Sequence, residues 1–126
     1  MRTPWQVIYY ETATGQCPVA EFIQSRSIRN QAKLLALLSF LEEQGPTLPR
    51  PYADLLADGI HELRLKLSGN QVRILYFFCY KEWIVLTHAF TKTTPAVPQA
   101  EIRTAQKYRA DFLQRFRESD VRETRT

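Results

Sequence analysis

Cationic side chains recur in one part of the chain, between residues 59 and 95. They are Arg64, Lys66, Arg73 and Lys92, and two histidines lie among them, His61 and His88. If this part forms strands, alternate side chains point to opposite faces, so Arg64 and Lys66 share one face of a sheet. Guanidinium and ammonium groups held on a rigid sheet stabilise negative charge that develops on a reacting phosphoryl group. The pattern therefore predicts a face that binds a polyanion.

The sequence lacks the residues that most other catalytic mechanisms require. The sequence has no glycine-rich nucleotide loop, no cluster of metal ligands and no serine, histidine and aspartate in the order of a known triad. Cys17 and Cys79 are far apart and have no ligand-like neighbours, which excludes a CxxC motif and indicates reduced, packed thiols. We therefore expect a mechanism that uses no metal and no organic cofactor.

Each candidate residue also has a purely structural interpretation. Arg64 and Lys66 fit solvating residues or guards of a sheet edge. Arg73 begins a strand that is otherwise apolar, so it needs a counter-charge, a route to solvent or a substrate phosphate. His88 fits either a half-buried histidine bonded to the backbone or an acid/base group, and His61 fits a surface residue.

The first half of the chain predicts one strand and two helices. The aromatic and β-branched residues 5–10 predict an opening strand, at an edge or beside the later strands. A short helix is expected over residues 18–25, and a longer one over residues 27–43, which begins with a serine able to cap free amides. Gly45 ends this helix. The apolar arc at residues 34–41 is wide, so the helix either lies deep against the sheet or also faces a partner.

A loop and three strands follow. Residues 46–58 are rich in proline and predict a connecting loop, in which residues 54–56 form one helical turn. Residues 60–67, 72–79 and 83–90 predict an antiparallel meander with tight turns. The middle strand is almost entirely apolar, which predicts a central position covered on both faces.

A last helix is expected to begin near Pro98. Its apolar residues recur every three or four positions and form a buried stripe. Arg103 and Lys107 fall on the opposite side, as a solvated surface or as nonspecific contacts to a phosphate backbone. The predicted order is β-α-α-β-β-β-α, an α+β fold in a single domain over residues 1–119, followed by a frayed tail at residues 120–126.

The charge of the chain is unevenly distributed. The net charge of this 126-residue chain is +4, and residues 1–58 contain 5 Lys and Arg against 6 Asp and Glu, whereas residues 59–126 contain 12 against 7. No apolar run approaches the roughly 20 residues that a membrane helix needs. The first residues do not form a signal peptide, so the expected location is the cytoplasm.

Four motifs of the second half occur together and in order. They are GIHELR at residues 59–64, VRILYFF at residues 72–78, IVLTHAFTKT at residues 84–93 and PQAEIRTA at residues 98–105. The set resembles the phage-derived Gp49-like family, which belongs to the RelE/HigB/ParE superfamily of toxins. The resemblance covers residues 5–118 in element order and is specific over residues 59–109.

The resemblance implies the toxin of a type II toxin–antitoxin pair, neutralised by a small helix-turn-helix antitoxin. It implies cleavage of mRNA held in the ribosomal A site, and a compact RelE-like α+β fold with helices packed on one face of the sheet. Arg64 and Lys66 would hold phosphates, and Arg73 would stabilise the phosphoryl charge. The expected catalytic residues are Arg73, Arg64, His88 and Lys92. The expected RNA-binding residues are Lys66, Arg64, Lys92, Arg103 and Lys107.

Departures from the family pattern keep a second function open. Lys92 is a single lysine where the family usually has a lysine-rich run. Tyr108 lies on the apolar stripe of the last helix, where it is expected to pack rather than to act as the C-terminal catalytic tyrosine of RelE-type enzymes. ParE relatives share the fold but act on gyrase. The alternative is a noncatalytic interaction protein, either a gyrase inhibitor or an inactive homologue.

Overall fold

In the computed structural model, which describes residues 5–118, five strands form one sheet between two layers of helices. The elements are β1 (Gln6–Tyr9), α1 (Pro18–Gln24), α2 (Ile28–Gln44), a 3₁₀ turn (Gly45–Thr47), β2 (Ala53–Ala57), β3 (Ile60–Leu67), β4 (Asn70–Cys79), β5 (Trp83–Thr91) and α3 (Gln99–Arg115). The α+β class and the three-stranded meander are confirmed. The expected tail, residues 120–126, lies outside the described residues. Within the described part, no helix is both long and apolar enough to span a membrane.

The strands lie in the order β1-β5-β4-β3-β2. Strands β2 to β5 pair antiparallel with their neighbours in sequence, whereas β1 lies parallel to β5. β4 occupies the centre, as its apolar composition predicted, and β1 takes an edge. The meander therefore forms the middle of the sheet.

The strand β2 was not predicted. Residues 54–56 were expected to form a helical turn, but Ala53 pairs with Leu63 and Leu55 pairs with His61 in an antiparallel ladder. Alanine and leucine favour helices, yet a segment of this length cannot hold an isolated helix in water. The edge of β3 offers hydrogen-bond partners instead, and tertiary pairing overrides the local preference.

One face of the sheet packs on α1 and α2. Leu63, Leu65 and Leu67 of β3 point to this face and join a buried cluster with leucines of α2. The Ser27 hydroxyl oxygen accepts a hydrogen bond from the Asn30 amide at 3.2 Å and caps α2. The apolar arc of α2 is only partly covered, since Leu34, Leu38 and Leu41 are buried whereas Leu35 is 49% exposed.

The opposite face packs on α3, so the expectation of helices on one face was wrong. Phe77 of β4 and Val85 of β5 join a second cluster with Phe112 of α3. β4 is apolar on both sides, so burying its side chains requires a layer on each face. Polar contacts help to fix α3, among them the pair of Arg109 with Asp58 at 2.7 Å and the hydrogen bond from the Tyr10 hydroxyl to Asp111 at 2.6 Å.

Candidate functional site

The sheet register brings the predicted cations together. Arg64 of β3 lies opposite Arg73 of β4, and Lys66 lies opposite Gln71. Lys92 directly follows β5, and its amide donates to the Gln71 carbonyl oxygen at 2.8 Å. By strand alternation these side chains share the face that carries α3, but none belongs to the apolar cluster of that helix. We call Arg64, Lys66, Arg73 and Lys92 the cationic face.

Arg73 is the buried member of the cationic face. It is 3% exposed, and its Nε lies 2.9 Å from Oε1 of Glu62, which is 6% exposed. Its Nη1 donates to the Val72 carbonyl oxygen at 3.0 Å and to Gln71 Oε1 at 3.4 Å. The apolar strand therefore obtains the counter-charge it needed from the neighbouring strand. Glu62 also offsets the repulsion between Arg73 and Arg64, which oppose each other in the ladder.

A β-bulge determines where His88 lies. Leu86 pairs with Tyr76 and His88 pairs with Leu75, so Thr87 is an extra residue in β5. An extra residue shifts the alternation of side chains by one, which places His88 on the same face as α3. The Thr87 hydroxyl donates to the Leu75 carbonyl oxygen at 3.1 Å and satisfies an acceptor at the irregular position.

The His88 ring is enclosed, and both of its nitrogens have partners. The residue is 8% exposed and stacks on Phe90, with ring centroids 5.6 Å apart. Nδ1 lies 3.1 Å from Thr87 Oγ1, and Nε2 lies 3.1 Å from Oε1 of Glu101 on α3. His88 therefore reaches the surface of the molecule through Glu101, whose side chain is 31% exposed.

Both ring nitrogens of His88 lie at hydrogen-bond distance from side-chain oxygens. The Thr87 hydroxyl has one hydrogen, and the Leu75 carbonyl oxygen, which can only accept, receives it. The roles of the two His88 nitrogens as donor or acceptor depend on the tautomer of the ring. Burial lowers the pKa of His88 below its usual range, and the Glu101 carboxylate opposes this shift.

Three predicted residues lie away from the cationic face. His61 is half-buried on the α1 and α2 side, where its ring stacks on Tyr76 at 5.3 Å, so the expectation of a surface residue was wrong. Arg103 and Lys107 are exposed, and the helical repeat places them opposite the buried Ala105. Tyr108 packs as expected, since its ring stacks on Tyr10 at 4.5 Å.

Sequence reasoning missed two carboxylates, Glu62 and Glu101. The contact between Glu62 and Arg73 was predictable from the hairpin. A two-residue turn at Ser68 and Gly69 places residue 62 diagonally opposite Arg73 on the neighbouring strand. The contact between Glu101 and His88 was not predictable from the sequence, because it depends on how α3 packs on the sheet. Among residues 5–118, no group of three or more His, Cys, Asp or Glu side chains is placed to hold a metal ion.

Comparison with known proteins places the chain in a family. No curated protein matches it. Residues 21–110 match the model of the phage-derived Gp49-like proteins. This stretch contains α2, the whole meander, the Arg73–Glu62 and His88–Glu101 pairs, and all four residues of the cationic face. Because the match spans well over half of the chain, the protein belongs to the Gp49-like family.

Proposed function

We propose that this protein is the toxin of a type II toxin–antitoxin system and that it cleaves mRNA on the ribosome, in the cytoplasm. The Gp49-like family is associated with toxin–antitoxin systems and is similar to RelE and HigB toxins, which supports the first part. The observation that supports the second part is the cationic face, where Arg64, Lys66 and Lys92 occupy positions next to the buried Arg73 in the sheet register. Its antitoxin would be a small helix-turn-helix protein.

The proposed reaction needs charge stabilisation and proton transfer, and no metal. The 2′-oxygen of the RNA bonds to the adjacent phosphorus while the bond to the 5′-oxygen breaks, which leaves a 2′,3′-cyclic phosphate. Arg64, Lys66 and Lys92 hold the phosphates, and Arg73 adds positive potential from beneath. The His88–Glu101 pair takes up and returns the protons, through the carboxylate that faces solvent.

A charge-removal experiment tests the cationic face. The double variant Arg64→Gln/Lys66→Gln should reduce mRNA cleavage in a translation extract by about 100-fold or more, because a preorganised donor stabilises a transition state by a few kcal/mol. The double variant Arg103→Gln/Lys107→Gln removes the same charge from the outer side of α3 and should retain most of the cleavage. Equal losses in both variants would refute the proposed location of the site.

The absence of a metal from the mechanism is tested separately. EDTA, added after substrate mRNA has been loaded on ribosomes whose integrity is monitored, should leave the cleavage rate unchanged. A large loss of cleavage that returns on adding Mg²⁺, while the ribosomes stay intact, would contradict the proposed mechanism.

A noncatalytic toxin is the second candidate, and the geometry of the site supplies a reason for it. Glu62 neutralises Arg73, and both nitrogens of His88 are occupied, so the groups that face solvent are suited to binding more than to proton transfer. Such a protein would block a target, for example gyrase. In that case expression would stop growth with mRNA ends unchanged, and an affinity-tagged chain would recover a protein target from arrested cells.

A further inference from the structure

A groove runs between α2 and β3 on the side of the sheet away from α3. It has a volume of about 340 Å³. Ala36, Leu37 and Phe40 of α2 and Leu65 of β3 form its apolar lining, and Tyr52 closes one end with its ring edge-on to Phe40 at 5.2 Å. The groove is where the apolar arc of α2 remains uncovered. It is large enough to receive side chains of a partner.

The groove runs along an edge of β3 that no other strand covers in the described part of the chain, residues 5–118. Pairing with β2 stops at Leu63, and the Arg64 amide still donates to the Tyr52 carbonyl oxygen at 2.7 Å. Two residues further on, Lys66 directs its amide and carbonyl to the same edge. Its carbonyl accepts a hydrogen bond from the Lys33 ammonium group of α2. A lysine side chain therefore lies where a neighbouring strand would bond, and a lysine is easily displaced.

The charge around the groove indicates what it accepts. Its lining, within residues 5–118, includes Lys33, Arg64 and Lys66 and no carboxylate. Leu65 points towards α2, whereas Arg64 and Lys66 point to the opposite face of the sheet. A strand added at this edge would meet an apolar surface on one of its faces and cations on the other.

We propose that this groove binds an extended segment of a protein partner in which acidic and apolar residues alternate. The segment adds to β3 as a sixth strand and bonds to the amide and carbonyl of Lys66. Its apolar side chains enter the groove beside Leu37 and Phe40, and its carboxylates pair with Arg64 and Lys66. The proposal rests on the proposed function in one respect: the partner is the antitoxin, which would thereby cover half of the cationic face.

A binding measurement with a defined peptide tests the groove. The probe is a fluorescein-labelled eight-residue peptide that alternates glutamate with valine or leucine, and fluorescence polarisation gives its affinity. Ala36→Glu places a carboxylate in the groove at an exposed helix position, and it should weaken binding at least tenfold. Ala32→Glu makes the same change one turn earlier, outside the lining, and should leave binding within twofold of the unmodified chain.

Hydrogen exchange tests the mode of binding. A saturating peptide should slow exchange of the Lys66 amide, as expected for a new strand at that edge. No saturable binding, or equal binding to the Ala36→Glu and Ala32→Glu variants, would overturn the proposal. A labelled ten-residue oligouridylate whose binding Ala36→Glu weakens, with no peptide bound, would overturn it in favour of nucleic acid.

The two proposals fail separately. Ala36 lies outside the cationic face. The Ala36→Glu variant should therefore cleave mRNA at the rate of the unmodified chain but bind the peptide at least tenfold more weakly. A chain that binds the peptide but cleaves no mRNA refutes the proposed nuclease and leaves the groove intact. A chain that cleaves mRNA but does not bind the peptide refutes the groove alone.

Discussion

Arg73 and Glu62 form a buried ion pair at the base of the cationic face. Removing two charges from water carries a large desolvation free energy, and their mutual attraction offsets it only while both partners are present. Loss of one partner leaves an uncompensated charge beside the like-charged Arg64. An Arg73→Ala variant that loses toxicity therefore does not by itself identify a catalytic group, because it also loses stability.

A double-mutant cycle separates these two effects. Glu62→Leu and Arg73→Met should each lower the free energy of unfolding by about 3–5 kcal/mol, since each leaves a buried charge unpaired. The double variant should lose far less than the sum, because no charge then remains inside. Urea unfolding followed by tryptophan fluorescence measures all four free energies.

Activity measured on the same double variant then assigns the role of Arg73. A stable double variant that no longer cleaves mRNA places the guanidinium charge in the reaction. If the two single losses simply add, the pair is not coupled in the folded state, and the buried ion pair described above is refuted.

His88 should make stability depend on pH. Burial lowers its pKa in the folded state below the ordinary value of 6.5, so the unfolded chain binds the proton more readily. The stabilisation is therefore complete above about pH 6.5 and is lost as the pH falls through the lowered folded-state pKa. Urea unfolding at a series of pH values should show this loss, and His88→Gln should reduce its slope.

His61 provides the control for that measurement. Burial also lowers its pKa, so it acts in the same pH range from the other side of the sheet. His61→Gln should remove the part of the pH dependence that His61 contributes. The unfolding free energy of the double variant His61→Gln/His88→Gln should be nearly constant between about pH 7 and pH 5. Asp54 and Asp111 have lowered pKa values through Arg50 and Arg115, but they act below about pH 4, outside this range. An unchanged slope in the double histidine variant would contradict the assignment.

At the scale of the element, the bulge in β5 is the feature on which the site depends most. Thr87→Val keeps the shape of the side chain but removes the hydroxyl, which leaves the Leu75 carbonyl oxygen and His88 Nδ1 without their partner. We expect a loss of about 1–3 kcal/mol in unfolding free energy, the usual penalty for unsatisfied buried groups. Thr87→Ser keeps the hydroxyl and should lose roughly 1 kcal/mol or less, the value of one methyl group.

The nitrogen chemical shifts of His88 provide a second measurement on the same variants. Thr87→Ser should keep the shifts of the unmodified chain, because Nδ1 keeps its hydroxyl partner. Thr87→Val should move them, because Nδ1 loses the hydroxyl partner. Identical shifts in both variants would mean that Thr87 does not hold the ring.

Elements with strong local patterns were predictable, and those that depend on tertiary pairing were not. The alternating leucines of β3 and the turn predicted at residues 68–70 defined that strand over residues 60–67, as observed. β2 was missed because its leucines and alanines become a strand only through the edge of β3.

In the candidate site, too, local patterns were predictable from the sequence and tertiary contacts were not. Alternation correctly placed Arg64 and Lys66 opposite the leucines of β3. The bulge at Thr87 leaves no mark in the apolar pattern of β5, so the side on which His88 lies required the structure. For the same reason the contact between His88 and Glu101 could not be derived from spacing.

For the whole molecule, the uneven charge should govern binding to RNA. A single strand releases counterions when cations replace them, so the affinity falls as salt rises, by a slope of about 0.7 per phosphate contact in the logarithmic plot. Lys66→Gln should reduce that slope by about 0.7, whereas Arg103→Gln on the outer side of α3 should change it less. Fluorescence polarisation with a short labelled RNA over a range of KCl measures both. Equal changes would show that the whole basic surface binds, without a preferred face.

The parallel pairing of β1 with β5 also has a consequence for how the protein is made. Gln6 pairs with Trp83 and Tyr9 with Leu86, so β1 can pair only after the whole meander has been synthesised. Hairpins such as β3 and β4 form from neighbours in sequence and can close early, whereas joining distant segments is slower. The sheet edge therefore closes only after the cationic strands have been synthesised. Until then the nascent chain holds β1 without its partner strand, so assembly of the sheet depends on continued translation, the process that the mature protein is proposed to stop.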